Sequence, residues 1–571
     1  MEQKAYLSRI ILSILVVILL FNVSAQEISF QNIISQKAEL SSQTETNPFQ
    51  QYSQSSQAKF EITKEQKEAN LKEIQNALEE SNEVSVLVWL KENQNPEEFL
   101  STLENFEAKY IYHSSNGFAG TADKKTIEQL SQNSKVSYLV LDKEVQGLLQ
   151  QSRPLIQANL AESTYNITGN GIGVCVLDTG INYTHPSLSN AYAGGYDFVN
   201  NDPNPMDDNG HGTRVTGVIA SRHAAAGRGI APSSKIIAVK VLNSNALGSL
   251  STIAAGVDWC VTNKNTYNIS IISMSLGTVG GIYNPSTNPM SYEPSLANAY
   301  NNNIAIVAGS GNDGSTSGIA YPSVSSYVIS VGATYDANLG SVTIAGCTDS
   351  ITYADKVICF SNRAPFLNLM APGGLITTTQ IQGGFGGTWG TSVAAPHVSG
   401  TIALMLQRNS QLLPSQIKNI LVSTGNTVYD NSTGLTYKRV NAWNAVNAVP
   451  YLNKTGNLTS NSVISLNIND KLNPGVIYLL ALAFTSTYGL PLPDGRIIPL
   501  DYDDLLILSI QDPASVFLAG SVGALNSNGQ SQATMTIPNI PGIETIEAHA
   551  AFITVNGTSG EIISVSNQQR L

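Results

Sequence analysis

The sequence predicts an α/β protein organised around a doubly wound parallel sheet, preceded by a small α+β domain and followed by a β-sandwich. Three observations carry this. Between residues 151 and 449 short apolar runs alternate with helical patterns, as in a parallel sheet covered on both faces. From Val84 to Leu141 strand and helix patterns follow one another in the order of a split βαβ, ferredoxin-like unit. After Pro450 helical spacing gives way to short alternating strands separated by turn residues. A length of 571 residues exceeds what one hydrophobic core organises, and with 42% hydrophobic and 13% charged residues most of the chain is expected to be globular.

Taken in order, residues 1–25 read as a secretory signal. Lys4 and Arg9 supply the charged start, Ile10 to Phe21 the apolar run, and Val23-Ser24-Ala25 the small-residue cleavage site. The apolar run is short of the ~20 residues needed to span a bilayer, so the chain is expected to be secreted. Residues 26–83 form a polar spacer rich in Gln, Ser and Asn, in which Leu71, Ile74 and Leu78 mark one short helix between Lys64 and Ser81. The net charge of -12 comes without a basic stripe, which excludes nucleic acid as a partner and fits solubility outside the cell.

In the small domain, residues 84–150, Val84 to Leu90 reads as a strand and Pro96 to Phe106 as a helix opening at proline. Tyr110 to Ala122 is a further strand region, Lys124 to Asn133 a helix, and Val136 to Leu141 a closing strand. In residues 151–449 the strand candidates are Gly173–Leu177, Lys235–Val241, Ile269–Met274, Ile304–Ala308 and Val328–Val331. In residues 450–571 they are Val463–Ile468, Val476–Phe484, Leu505–Ile510, Ala533–Ile537 and Ala548–Val555. Asp501, Asp503 and Asp504 read as a solvated strand edge rather than a cation site.

The chemistry concentrates in three segments of the central domain. Gly390-Thr391-Ser392 opens an apolar helical run, where backbone N–H groups point outward and partial positive charge favours a developing oxyanion. Taken alone, a serine there is an N-cap. Val174 to Gly180 is a buried strand ending in the carboxylate of Asp178, and Asn209-Gly210-His211-Gly212-Thr213 sets a histidine between glycines at the head of another apolar helix. A serine needs a base to take its proton, and imidazole titrates near neutrality. Asp178, His211 and Ser392 therefore supply orienter, base and nucleophile, in the chain order found in subtilisin.

With these three motifs the chain resembles the subtilisin-like serine proteases, or subtilases, over roughly residues 155–447. The resemblance implies a subtilisin-like sheet and broad serine endopeptidase activity on proteins or peptides. It makes Asn312, in a Gly-Asn-Asp-Gly stretch that alone reads as a turn, the oxyanion donor beside the Ser392 backbone N–H. Substrate would lie extended along Ser275-Leu276-Gly277, adding a strand to that edge. Gly318 to Pro322, with Ala320, resembles the far wall of the main specificity pocket, where small residues leave room for a large apolar P1 side chain. Arg214 and Val393 depart from the family's usual histidine and methionine without touching a catalytic atom. The loop His223 to Arg228 lacks the family's asparagine-rich calcium insertion.

Residues 84–150 resemble the inhibitory propeptide of the family, so the protein's own propeptide is an expected partner, removed by self-cleavage near Gln146–Ser152. The loop Asp197 to Met206 resembles a calcium loop of thermostable subtilases. Asp197 and Asp202 would be carboxylate ligands there, with Asn200 where an aspartate is commoner, and structural calcium is the expected ion. A monomer is expected, and the accessory β-domain would hold a surface or polymer. Cys347 and Cys359 bracket a short insertion and look like a natural pair, contributing about 3 kcal/mol on the chain-entropy model. Cys175 and Cys260 fit either a bridge or two buried thiols.

Two other function classes compete. A serine esterase is disfavoured because no Gly-x-Ser-x-Gly elbow surrounds Ser392. A surface-binding or adhesive protein with an inactive protease-like domain is disfavoured because all four catalytic groups are retained.

Overall fold

The computed structural model describes residues 63–571 except 92–93, 114–115, 143–150 and 224–226. The signal peptide, the stretch 26–62 and most of the cleavage segment 146–152 lie outside the described residues. The chain divides into two compact units, one over Thr44–Leu148 and one from Leu149 to Leu571.

The smaller unit comprises α1 (Lys64–Glu80), β1 (Glu83–Leu90), α2 (Pro96–Leu100), β2 (Phe106–Tyr112), β3 (Gly117–Asp123), α3 (Lys124–Gln132) and β4 (Val136–Leu141). Its sheet runs β2-β3-β1-β4, antiparallel throughout, the split βαβ order. Alternate residues of β1, Val84, Val86, Val88 and Leu90, meet Phe118, Ile127 and Leu130 in one core. Ile74 of α1 is fully buried in that same core. α1, expected to lie in a polar spacer running to residue 83, is therefore part of this unit through its apolar stripe. The helix expected over Pro96–Phe106 ends at Leu100. Phe106 instead opens β2 and meets Phe118 edge-on, with ring centroids 5.0 Å apart.

In the larger unit nine strands form one sheet: β5 (Gly173–Asp178), β6 (Tyr192–Asp197), β7 (Lys235–Lys240), β8 (Ile269–Met274), β9 (Ala305–Gly309), β10 (Val328–Thr334), β11 (Leu369–Pro372), β12 (Asn426–Asp430) and β13 (Leu435–Arg439). Their order is β12-β13-β11-β10-β9-β8-β5-β7-β6, parallel except for the β12–β13 hairpin. Alternation along β5 explains the layers. Val174 and Val176 join a core with Val215, Ile219, Val398 and Ile402, while Cys175 and Leu177 join another with Ile253, Val257 and Leu296. Helices α4 (His211–Ala220) and α7 (Thr391–Arg408) cover the first face, α5 (Leu250–Thr262) and α6 (Glu293–Asn301) the second. Cys175 is bonded to Cys260, tying β5 to α5, and Cys347 to Cys359.

From Tyr451 two antiparallel sheets face each other. One holds Tyr451–Thr455, Val463–Asn469, Gln530–Thr536 and Leu518–Ala519; the other is built on Ile477–Ala483 and His549–Val555. Leu466, Leu480, Leu482 and Phe552 meet between them. The strand expected at Leu505–Ile510 is instead helix α8 (Asp504–Gln511). Asp503 caps it by accepting from Leu506 N at 2.9 Å, and its other oxygen accepts from Phe484 N at 2.7 Å. Asp501 accepts from the N–H groups of Thr487, Tyr488 and Gly489. These aspartates organise a turn and a cap, not a strand edge. Asn409 ties the sandwich to the central sheet by donating to Pro450 O and Val565 O. Among the described residues no helix is long and apolar enough to cross a membrane.

Candidate active site

The carboxyl edge of the sheet gathers the chemistry, as a doubly wound topology dictates. β5 ends at Asp178, β8 runs into Ser275, and β9 runs into the loop carrying Asn312. Asp178 is buried, and its Oδ1 lies 2.7 Å from His211 Nδ1. His211 opens α4 and remains 23% exposed. A Cβ on Gly212 would stand 2.0 Å from Gly180 O and 3.2 Å from Asp178 Cβ, so only glycine lets the helix start this close to the carboxylate. Burial disfavours the imidazolium, but the charge and hydrogen bond of Asp178 outweigh it, and the His211 pKa lies above its ordinary value.

Two groups that sequence reasoning missed hold this pair. Asp207 Oδ1 accepts from Thr179 Oγ1, Asn209 N and Gly210 N, and its Oδ2 from Thr213 N and Oγ1. Lys240, fully buried, donates from Nζ to Asp208 Oδ1 at 2.7 Å, Thr179 O at 2.8 Å and Leu242 O at 2.9 Å. The residues after Asp178 are thereby fastened to those before His211. An aspartate just ahead of a glycine-flanked histidine was the one available signal.

Ser392 is the second residue of α7. Gly390 before it has φ 130°, and the point where its Cβ would stand is 2.8 Å from Ser392 Oγ and 3.5 Å from Asn312 Nδ2. Hydroxyl and amide thus border one space that any other residue would fill. Asn312 Oδ1 accepts from Thr391 N at 2.9 Å and Thr391 Oγ1 at 3.0 Å, which fixes the amide with its NH2 toward that space. Among the described residues no hydrogen bond joins Ser392 Oγ to His211, a separation common before substrate binds. His397, further along α7, is fully buried and donates from Nδ1 to Val393 O at 2.8 Å. Burial holds its pKa down to about 4, so it stays neutral.

Ser275 is buried, and its hydroxyl donates to Ser392 O at 2.7 Å. Leu276 and Gly277 make no backbone–backbone hydrogen bond among the described residues, leaving an open edge. Ala320 is 2% exposed, its N donates to Ser310 O, and its methyl lies 3.0 Å from the point where a Gly277 Cβ would stand.

The loop read as a calcium site closes on itself. Asp197 Oδ1 accepts from Val199 N at 2.7 Å and Asn200 N at 2.9 Å, and Oδ2 from Asn200 Nδ2 at 2.9 Å. Asp202 Oδ1 accepts from Asn204 N at 2.8 Å. Among the described residues no three His, Cys, Asp or Glu side chains are grouped to hold a metal. The Asp197 carboxylate is thus spent on loop N–H and amide groups, which leaves the loop few free carboxylate oxygens for a calcium ion needing six to eight. Asp197→Ala in inactive Ser392→Ala protein is therefore expected to cost about 2–4 kcal/mol of stability, equally with and without calcium. Thermal melts check this, and a loss seen only in calcium would return the ion to the loop.

The profile of the subtilase family matches residues 169–455, and that of peptidase inhibitor I9 matches residues 35–147. Subtilisin E of Bacillus subtilis is 32% identical over 333 residues, covering 56% of this chain and 78% of that protein. The serine protease AprX of the same organism is 34% identical over 350 residues, covering 56% and 76%. The minor extracellular protease Epr, also from B. subtilis, is 31% identical over 364 residues, covering 60% and 51%. The chain belongs to the subtilase family and is a serine-type endopeptidase with an I9-type propeptide domain ahead of its catalytic sheet.

Proposed function

We propose that this protein is a secreted, broad-specificity endopeptidase acting through Ser392, His211 and Asp178, with Asn312 as oxyanion donor. The observation that carries the reading is the 2.7 Å contact of Asp178 Oδ1 with His211 Nδ1. It supports a neutral His211 with its proton on Nδ1 toward the carboxylate and Nε2 as the acceptor. Ser392 Oγ attacks the scissile carbonyl carbon while its proton passes to Nε2. The tetrahedral oxyanion takes hydrogen bonds from Asn312 Nδ2 and the Ser392 backbone N–H. His211 then gives its proton to the leaving amine, and water repeats the sequence on the acyl-enzyme.

Several features support the finer assignments. The open edge at Leu276–Gly277 suits an extended peptide, and Ala320 with Gly277 suits a pocket for an apolar P1 side chain. The leader over residues 1–25 and the extracellular relative support secretion. The I9 match supports the protein's own propeptide as its first ligand. Tyr488 and Tyr502, 86% and 71% exposed, support a surface- or polymer-holding role for the sandwich of a monomeric enzyme.

A fluorophosphonate probe tests the reading. It is expected to label the wild type and not Ser392→Ala. Because the His211 pKa is raised, the base is lost from a higher pH than an ordinary histidine allows as pH falls. The acid limb of the labelling rate is thus expected above pH ~6.5, and Asp178→Asn moves it lower while slowing the reaction. An unchanged limb in that variant assigns the titration to another group.

A further inference from the structure

The loop that carries Asn312 is short of apolar anchors, since Asn312 and Asp313 are themselves exposed. Its shape comes from a residue distant in sequence. Asn362 is fully buried and spends its whole amide there. Oδ1 accepts from Asp313 N and Ser315 N, each at 3.0 Å, and Nδ2 donates to Ser310 O at 3.2 Å and Asp313 Oδ2 at 2.9 Å. Its backbone adds two more bonds: Asn362 N donates to Gly311 O at 2.9 Å, and its carbonyl accepts from Ser310 Oγ at 2.7 Å. Neighbours extend the clamp, with Gly314 N donating to Phe360 O at 2.7 Å and Arg363 N to Ser315 O at 2.8 Å. Contact is close enough that a Cβ on Gly311 would stand 2.3 Å from Asn362 Nδ2.

We infer that Asn362 is the positioning residue for the oxyanion donor, an inference resting on the role proposed above for Asn312. A side-chain amide presents acceptor and donors in one plane, and here both are needed. The oxygen gathers the N–H groups on the far side of Asn312, and the nitrogen holds the carbonyl before it and the carboxylate after it. Thr391 fixes Asn312 from the nucleophile's side, through its N and Oγ1. Asn362 fixes the backbone from the other, so the amide is aimed before substrate arrives and does not reorganise as charge develops. Asn362 touches neither substrate nor the reacting atoms.

Asn362→Ala is expected to lower kcat by about 10- to 100-fold, the range for misplacement of a catalytic group by around an ångström, with KM changed little. A general loss of folded protein would instead lower the active fraction, which probe titration counts. The discriminating measurement is the double-mutant cycle. In an Asn312→Ala background there is no donor left to aim, so Asn362→Ala is expected to cost less than about threefold. An equal loss in both backgrounds overturns the inference. Should Asn362→Ala fail to fold, exposed Asp313→Ala removes one contact alone and is read in the same two backgrounds with the same criterion. A normal kcat for Asn312→Ala itself takes down the oxyanion reading and this inference with it. A crippled Asn312→Ala beside an undisturbed Asn362→Ala takes down this inference alone.

Discussion

Ser392→Ala and His211→Ala are each expected to lower kcat by about 10⁶, a magnitude borrowed from subtilisins themselves, and the double variant to be no slower than either. The reason is structural. Among the described residues the His211 ring is hydrogen-bonded to one carboxylate, at Nδ1, and the proposed mechanism gives Nε2 the Ser392 proton. Remove the nucleophile and the base has nothing to deprotonate; remove the base and the hydroxyl remains a weak nucleophile at its own pKa. The Asn312 amide and the Ser392 N–H are unaffected by either change, so a residual rate above uncatalysed hydrolysis is expected from the oxyanion hole alone. Asn312→Ala on top of Ser392→Ala is expected to remove part of that residue. Steady-state peptidase assays on the purified proteins, freed of the propeptide domain by an added protease and quantified by absorbance, read all of this. Losses that multiply between Ser392 and His211 mean that the two act independently, which the shared-proton account does not survive.

How much of this was legible in sequence depended on how local the determinants are. Asp178, His211 and Ser392 each sit in an apolar run flanked by glycines, because the backbone must approach closely there, and those signals lie within a few residues of the group itself. Asn362 had no such signal, since its partners are separated from it by β10 and the disulfide-closed insertion. β6 was missed because Ala193-Gly194-Gly195 dilutes its apolar pattern, and β11 because only Leu369–Pro372 forms it. The misreading of Leu505–Ile510 has a plain cause: a run of Leu, Ile and Ser has no decisive period at that length. Asp503, read as a cap, would have settled it as helix. The loop Asp197 to Met206 is ambiguous for a different reason. Its spaced Asp and Asn oxygens are what a hard cation takes, and also what an Asx turn takes, and only the direction of the N–H groups separates the two.

Maturation gives the second large effect. Ser392→Ala, expressed alone, is expected to accumulate as the long form beginning near Gln26, whereas active protein is expected to begin no later than Ser152. The downstream limit on that cut follows from what is built into the catalytic unit. Ser152 is fully buried, and Arg153, 5% exposed, pairs with Glu162 at 2.6 Å while also donating to Gly229 O. Glu162 is shared with Arg228, and Leu155 O accepts from Arg439, which is itself paired with Asp355 at 2.8 Å. Glu162 is part-exposed and would keep Arg228, so losing Arg153 gives up a charge-assisted contact of about 1.5–3 kcal/mol, still a sizeable share of the roughly 5–15 kcal/mol that holds a domain folded. A cut beyond Arg153 would forfeit that contact in the product, so self-cleavage is expected at the bonds before it. Propeptide-domain residues up to Leu141 carry their own core and depend on none of these contacts. N-terminal sequencing of both forms decides. Identical starts refute self-processing, and a mature start beyond Arg153 refutes the anchoring role given to the Ser152–Leu155 turn.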